Sequence, residues 1–117
     1  MNKVIIGKNN EEKACKYLTD NGYKIIDRNF RSKTGEIDII AIKDKYICFI
    51  EVKYRKNVKS GTPEEAVNVS KMKKISKVSE YYLYINRKYI NYQIRYDVIA
   101  MSDDYIKHYE NAFSYTY

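Results

Sequence analysis

The chain has 117 residues and a mass of 14.0 kDa, about one domain's length. Hydrophobic residues make up 44% and charged residues 32%, with four Gly and one Pro, which excludes collagen-like, low-complexity and disordered chains. Lys and Arg outnumber Asp and Glu by 22 to 15, for a net charge of +7, and the single His excludes a metal site built on a Cys/His cluster.

The longest wholly apolar run, residues 46–50, falls far short of the ~20 residues that cross a bilayer. Residues 4–6 are too short for a signal-peptide core. Cys15 and Cys48 lie in apolar stretches and offer no disulfide framework. A cytoplasmic protein with reduced thiols and no membrane partner is expected.

A first helix is expected over residues 2–20, with Ala14, Cys15 and Leu18 on one stripe and Asn21-Gly22 as the stop. Glu11 lies on that stripe, where an acid is costly without a partner or a task. Glu12 is on another face, with Lys16 four residues on as its expected partner. Strands follow at 23–30, 35–43 and 46–55, the last two rich in β-branched and aromatic residues around an Asp44-Lys45 turn. Residues 56–61 read as a polar loop. Thr62-Pro63-Glu64-Glu65 combines an N-cap, a Pro at the first helical position and a capping-box Glu, so a helix is expected from there to about Ile85, with a break near Ser70. Strands at 91–101 and 105–109 complete an α/β or α+β domain around a mixed sheet of about five strands.

The informative segments are Gly35-Glu36-Ile37-Asp38-Ile39-Ile40-Ala41 and Phe49-Ile50-Glu51-Val52-Lys53. Side chains alternate faces along a strand, so Glu36 and Asp38 share one face of the first segment and Glu51 and Lys53 one face of the second. A hairpin that sets Lys43 against Tyr46 brings Asp38 opposite Glu51 and Glu36 opposite Lys53. Like charges placed so, with Cβ atoms ~5 Å apart, destabilise a sheet. A divalent cation between them resolves the conflict, since Mg²⁺ is held by one or two carboxylates with water and substrate phosphate. Two carboxylates and a Lys around a hard metal form a phosphodiester-hydrolysis constellation. The alternative is an ordinary amphipathic hairpin whose charged residues face solvent.

The positive charge is concentrated. Lys53, Arg55, Lys56, Lys59, Lys71, Lys73, Lys74 and Lys77 stand against only Glu64 and Glu65 in residues 53–77, so almost all of the excess lies there. A field of one sign draws polyanions, nucleic acid first among them. Arg55, Lys56, Lys59, Lys71 and Lys74 are the candidate phosphate contacts. Lys73 and Lys77 read as solvated, and the 14 Tyr read as core residues with wet hydroxyls more than as base-stacking platforms. Arg95 shares a strand face with Asp97 and is its expected partner, and His108 reads as structural.

These residues resemble the YraN family of small bacterial proteins, over nearly the whole chain. Gly7, Glu11, Ala14, Tyr17-Leu18 and Gly22-Tyr23 match its opening helix, and Asn29, residues 35–41 and residues 49–55 match its core motif. Gly61, Pro63, Ala66-Val67 and Lys71 match its helical region, and Arg95-Tyr96-Asp97-Val98, His108 and Ala112-Phe113 its tail. The resemblance implies a restriction-endonuclease-like fold with a PD-(D/E)xK-type core, similar to archaeal Holliday-junction resolvases. It implies Asp38, Glu51 and Lys53 as a catalytic trio, Asp38 and Glu51 as ligands of Mg²⁺ or Mn²⁺, and Glu11 as the helical acid, with Glu36 a possible accessory. Asn10 stands where the family usually has Gly, and Ile37 precedes Asp38 where the motif name has Pro.

The function expected is metal-dependent hydrolysis of phosphodiester bonds, in branched or otherwise structured DNA, by a chain that by analogy pairs as a homodimer. The alternatives are a nucleic-acid-binding module of the same fold without hydrolysis, and a scaffold domain on a nucleoprotein complex.

Overall fold

The computed structural model describes residues 3–55 and 67–117. The order is α1 (Lys3–Asp20), β1 (Lys24–Arg31), β2 (Glu36–Lys43), β3 (Tyr46–Tyr54), α2 (Val69–Ile85), a 3-10 turn (Arg87–Tyr89), β4 (Gln93–Met101) and β5 (Ile106–Phe113). The strands form one mixed sheet in the order β1-β2-β3-β4-β5, antiparallel except for the parallel pair β3–β4. This is the α+β architecture expected.

Both faces of the central strands are covered, which is why they read as nearly continuous apolar runs. On one face Ile40, Phe49, Tyr96 and Val98 pack against Ile75, Val78 and Tyr82 of α2. On the other, Ile39, Ala41, Cys48, Ile50 and Ile99 pack against Ala14 and Leu18 of α1. Strand alternation sends Ile39 and Ile40, or Cys48 and Phe49, to opposite cores.

The ends of α1 and α2 follow from local chemistry. α1 closes in a Schellman motif: Tyr23 N–H donates to Leu18 O at 2.9 Å and Gly22 N–H to Thr19 O at 3.1 Å, with Gly22 at φ 86°. Leu18 and Tyr23, joined by that motif, are both buried in the α1-side core. α2 begins at Val69 with its own cap, the Asn68 side chain accepting from Lys71 N–H at 2.9 Å. Val67 and Asn68 are not helical, so α2 begins after them, close to the break expected near Ser70. The Thr62-Pro63-Glu64-Glu65 start lies outside the described residues, as do Lys56 and Lys59 and the loop at 56–61.

Two surface pairings differ from expectation. Glu12 accepts from Arg28 of β1 at 3.0 Å, while Lys16 pairs with Asp20 at 2.9 Å. The fold brings a β1 guanidinium within reach of α1, and a fork of N–H donors competes well against a lysine on the same helix. The last strand also runs further than residues 105–109, because β5 continues beside β4 to Phe113, opposite Tyr96.

Arg95 and Asp97 pair as expected, and within a larger network. Asp97 is fully buried, and it accepts from Arg95 Nε at 2.9 Å, Arg95 Nη2 at 2.7 Å and Asn111 N–H at 2.9 Å. His108 Nε2 lies 2.7 Å from the same carboxylate, and Arg95 also donates to Tyr23 Oη. Burial alone would raise the Asp97 pKa, but the hydrogen bonds from His108, Arg95 and Asn111 together hold it below the usual carboxylate range. A lowered folded-state pKa contributes stability that is present above the unfolded value and lost as pH falls through the folded one. Asp97→Asn is therefore expected to cost about 3–5 kcal/mol at pH 7, because it leaves Arg95 buried without its countercharge. It should also flatten the acid limb of thermal stability below about pH 4, as measured by melting wild type and variant between pH 3 and 7.

Candidate active site

The β2–β3 ladder runs from Lys43↔Tyr46 to Ile39↔Ile50, the register expected from the sequence. Beyond Ile39 and Ile50 no further pair is laddered, and the next residues on each strand are Asp38 and Glu51. At this fork Val52 N–H donates to Asp38 Oδ2 at 2.8 Å, so a side chain spans the gap between the strands.

The two carboxyl groups lie close enough that the charge of Asp38 raises the pKa of Glu51. Glu51 is only 9% exposed. Burial, and after it the charge of Asp38, pushes its carboxyl up to about 8. Burial raises Asp38 as well, opposed by the Val52 N–H. Among the described residues, Glu51 Oε2 is buried with no N–H or hydroxyl to accept from. Among them its cationic partner is Lys71 of α2, its Nζ 3.7 Å from Glu51 Oε1.

Glu11 approaches from α1. Burial raises its pKa first, followed by the charge of Asp38, and its Oε1 is likewise buried without a donor. The Arg28 charge and the Asn29 side chain oppose that rise. A bulge at Ile26 shifts the β1–β2 register by one, so Asn29 falls between the pairs Arg28↔Ile39 and Phe30↔Ile37, across from Asp38. Asn29 adopts φ 53°, a left-handed conformation that Asn tolerates better than most residues. It thus stands across from one strand acid while lowering the pKa of the helical one, a place that sequence reasoning did not assign to it. An Asn in a run of strand residues is the one signal that could have found it.

The remaining candidates are placed as follows. Lys53 is two residues beyond Glu51, hence on the same face, and is exposed. Glu36 does not pair with Lys53. It sits across from Arg31 on β1 and accepts from its Nε at 2.9 Å, because the ladder that would have carried it to Lys53 ends at Ile39. Its charge still raises the pKa of Glu11, Asp38 and Glu51. Arg55 is half-buried, with its N–H on Met101 O at 2.8 Å. Lys74 is exposed, on the stretch of α2 that crosses Gly35 (a Cβ added at Gly35 would lie 3.7 Å from Lys74 Cβ).

This arrangement suits a hard cation. Two adjacent carboxylates carry raised pKa values, and one buried oxygen has no donor, so the pocket is short of positive charge. Among the described residues no three Asp, Glu, His or Cys side chains gather closely enough to wrap an ion alone. Asp38 and Glu51 could therefore hold Mg²⁺ or Mn²⁺ with water completing the shell, the usual arrangement for magnesium.

Residues 10–101 match the model of the "Uncharacterised protein family UPF0102". A UPF0102 protein of Lachnoclostridium phytofermentans is 43% identical over 113 residues, covering 97% of this chain and 96% of the relative. One from Thermodesulfovibrio yellowstonii is 46% identical over 113 residues, covering 97% and 99%. One from Persephonella marina is 42% identical over 113 residues, covering 97% of each. No helix among the described residues is long and apolar enough to cross a membrane.

A carboxyl whose folded pKa is raised contributes stability below its unfolded pKa and loses it as pH rises through the folded one. For Glu51 that window runs from the ordinary 4.5 to about 8. Glu51→Gln should therefore melt above wild type at pH 8 in chelator-treated buffer, by about 3–8 °C for roughly 1 kcal/mol. The gain should vanish near pH 4.5, and equal melting temperatures at both pH values would contradict the charge strain ascribed to this pair.

Proposed function

The chain belongs to the UPF0102 family, the YraN family, and from that premise we propose that it is a Mg²⁺- or Mn²⁺-dependent nuclease hydrolysing phosphodiester bonds in branched or otherwise structured DNA. The observation that carries this reading is the Asp38–Glu51 pair at the β2–β3 fork, with a buried Glu51 oxygen that no donor among the described residues satisfies. Such a pair is a cost to the fold, and a function that requires it is the economical reason for its presence.

Asp38 and Glu51 hold the ion. When bound, it supplies Lewis acidity to a phosphate oxygen and makes a nucleophile of bound water at neutral pH. The Val52 N–H fixes the Asp38 carboxylate, so this ligand is oriented before loading. Lys53, exposed on the same face, orients the attacking water and offsets charge on the pentavalent phosphorus. Glu11, approaching from α1, adds a third acid at the rim of the pair. Lys71, Lys74 and Arg55 flank the site and take backbone phosphates, which give grip without base readout. Branched DNA as substrate, and a homodimer that brings one site to each strand, follow from the likeness to junction resolvases.

With Mn²⁺ and a panel of linear, flapped and four-way-junction DNAs, wild type should cleave the branched substrates. Asp38→Asn should lose about 10²-fold or more in rate, and with it the Mn²⁺-induced rise in melting temperature. Contacts to about six phosphates predict a slope near −5 for log affinity against log salt. Binding with that slope but no cleavage in any metal would replace the nuclease by a binding module, and a flat slope would remove the nucleic acid as well.

A further inference from the structure

Among the described residues, the ammonium group paired with the carboxylates comes from α2 and not from β3. Lys71 Nζ is 3.7 Å from Glu51 Oε1, an ion pair too long for a direct hydrogen bond. The Lys53 side chain makes no hydrogen bond or ion pair among the described residues. Lys71 owes its place to its backbone. Its N–H is the one that Asn68 Oδ1 accepts, in the first turn of a helix packed against the start of β2. The side chain itself is 43% exposed, so the four-carbon stem has room to swing. Its charge acts on both Asp38 and Glu51.

An ammonium group and a divalent cation cannot share Glu51 Oε1 without strong repulsion at this burial. The Lys71 contact is unlocked by any hydrogen bond, exposed on one side, and made to the residue a metal needs. Resting on the nuclease reading, we infer that Lys71 is the resident counter-ion of the Asp38–Glu51 pair, released from Glu51 when the site loads and thereby freed to grip the substrate phosphate. Loading and phosphate capture are then linked through one lysine, while Lys53 keeps its own position throughout. Lys71 is a positioning residue here, acting on the metal site through Glu51.

The test is a Mn²⁺ titration of metal-free protein, followed by calorimetry and by melting temperature, with no DNA present. Lys71→Met should bind Mn²⁺ about three- to tenfold more tightly than wild type, because the competing charge is gone. Lys71→Arg, which restores the charge, and Lys77→Met, which removes an exposed charge further along α2, should stay within about twofold of wild type. In Mn²⁺ buffer the affinity of Lys71→Met for a four-way junction should fall about three- to tenfold, the opposite sign from its metal affinity. Lys71→Gln gives the same readout should the Met variant not melt cooperatively. Unchanged or weaker Mn²⁺ binding in both neutral variants would mark Lys71 as merely structural and overturn the inference, leaving the nuclease reading intact. Wild type that takes up no Mn²⁺ would overturn both.

Discussion

Two carboxyl groups at the fork of β2 and β3 share too little positive charge, and much of the surrounding structure is disposed around that deficit. Burial, and after it the charge of Asp38, pushes Glu51 up to about 8. The elements that meet here contribute to it separately. α1 brings Glu11, β1 brings Asn29 through a bulge and a left-handed residue, β3 turns the Val52 N–H inward, and α2 lends Lys71. The sheet opens where these groups meet, because a ladder closed through Asp38 and Glu51 would hold two acids face to face.

The Asp97 network on the same sheet shows what a purely structural acid looks like in this protein. Asp97 is as deeply buried as any residue, yet its pKa is lowered, because a bidentate guanidinium, an imidazole and a backbone N–H complete its coordination. Glu51, also buried, and the half-buried Asp38 shift the other way. Glu51 has no such set of donors around it among the described residues. Satisfied charges tie β4 to β5, whereas unsatisfied ones gather at the fork, which is the pattern of a fold that keeps its strain where a ligand can relieve it.

The β2–β3 hairpin was readable from residue order because strand alternation and a two-residue turn leave a single register that buries the apolar side chains on both faces. Asp44 at the turn, with φ 53°, takes the positive dihedral that such a turn requires. The Arg95–Asp97 pair was readable for a similar reason, since two residues apart on a strand means one face. Expectation failed where a distant segment competed for a side chain. Arg28 took Glu12 from Lys16, and Arg31 took Glu36 from Lys53. α2 itself begins at the Asn68 cap, close to the break expected near Ser70, because the Asn68 side chain reaches the Lys71 N–H.

Residue order by itself determined the strands, the C-terminal ends of both helices, the hairpin register and the identity of the acids that converge, since each depends on periodicity and on backbone preferences acting over a few residues. Only the tertiary structure decided that the ladder stops at Ile39 and Ile50, that Asn29 stands across from Asp38, and that the ammonium paired with Glu51 among the described residues belongs to Lys71. Those outcomes depend on how a helix lies across a sheet and on how deeply it buries a charge. Both are set by the summed packing of segments far apart in the chain, which no local pattern encodes.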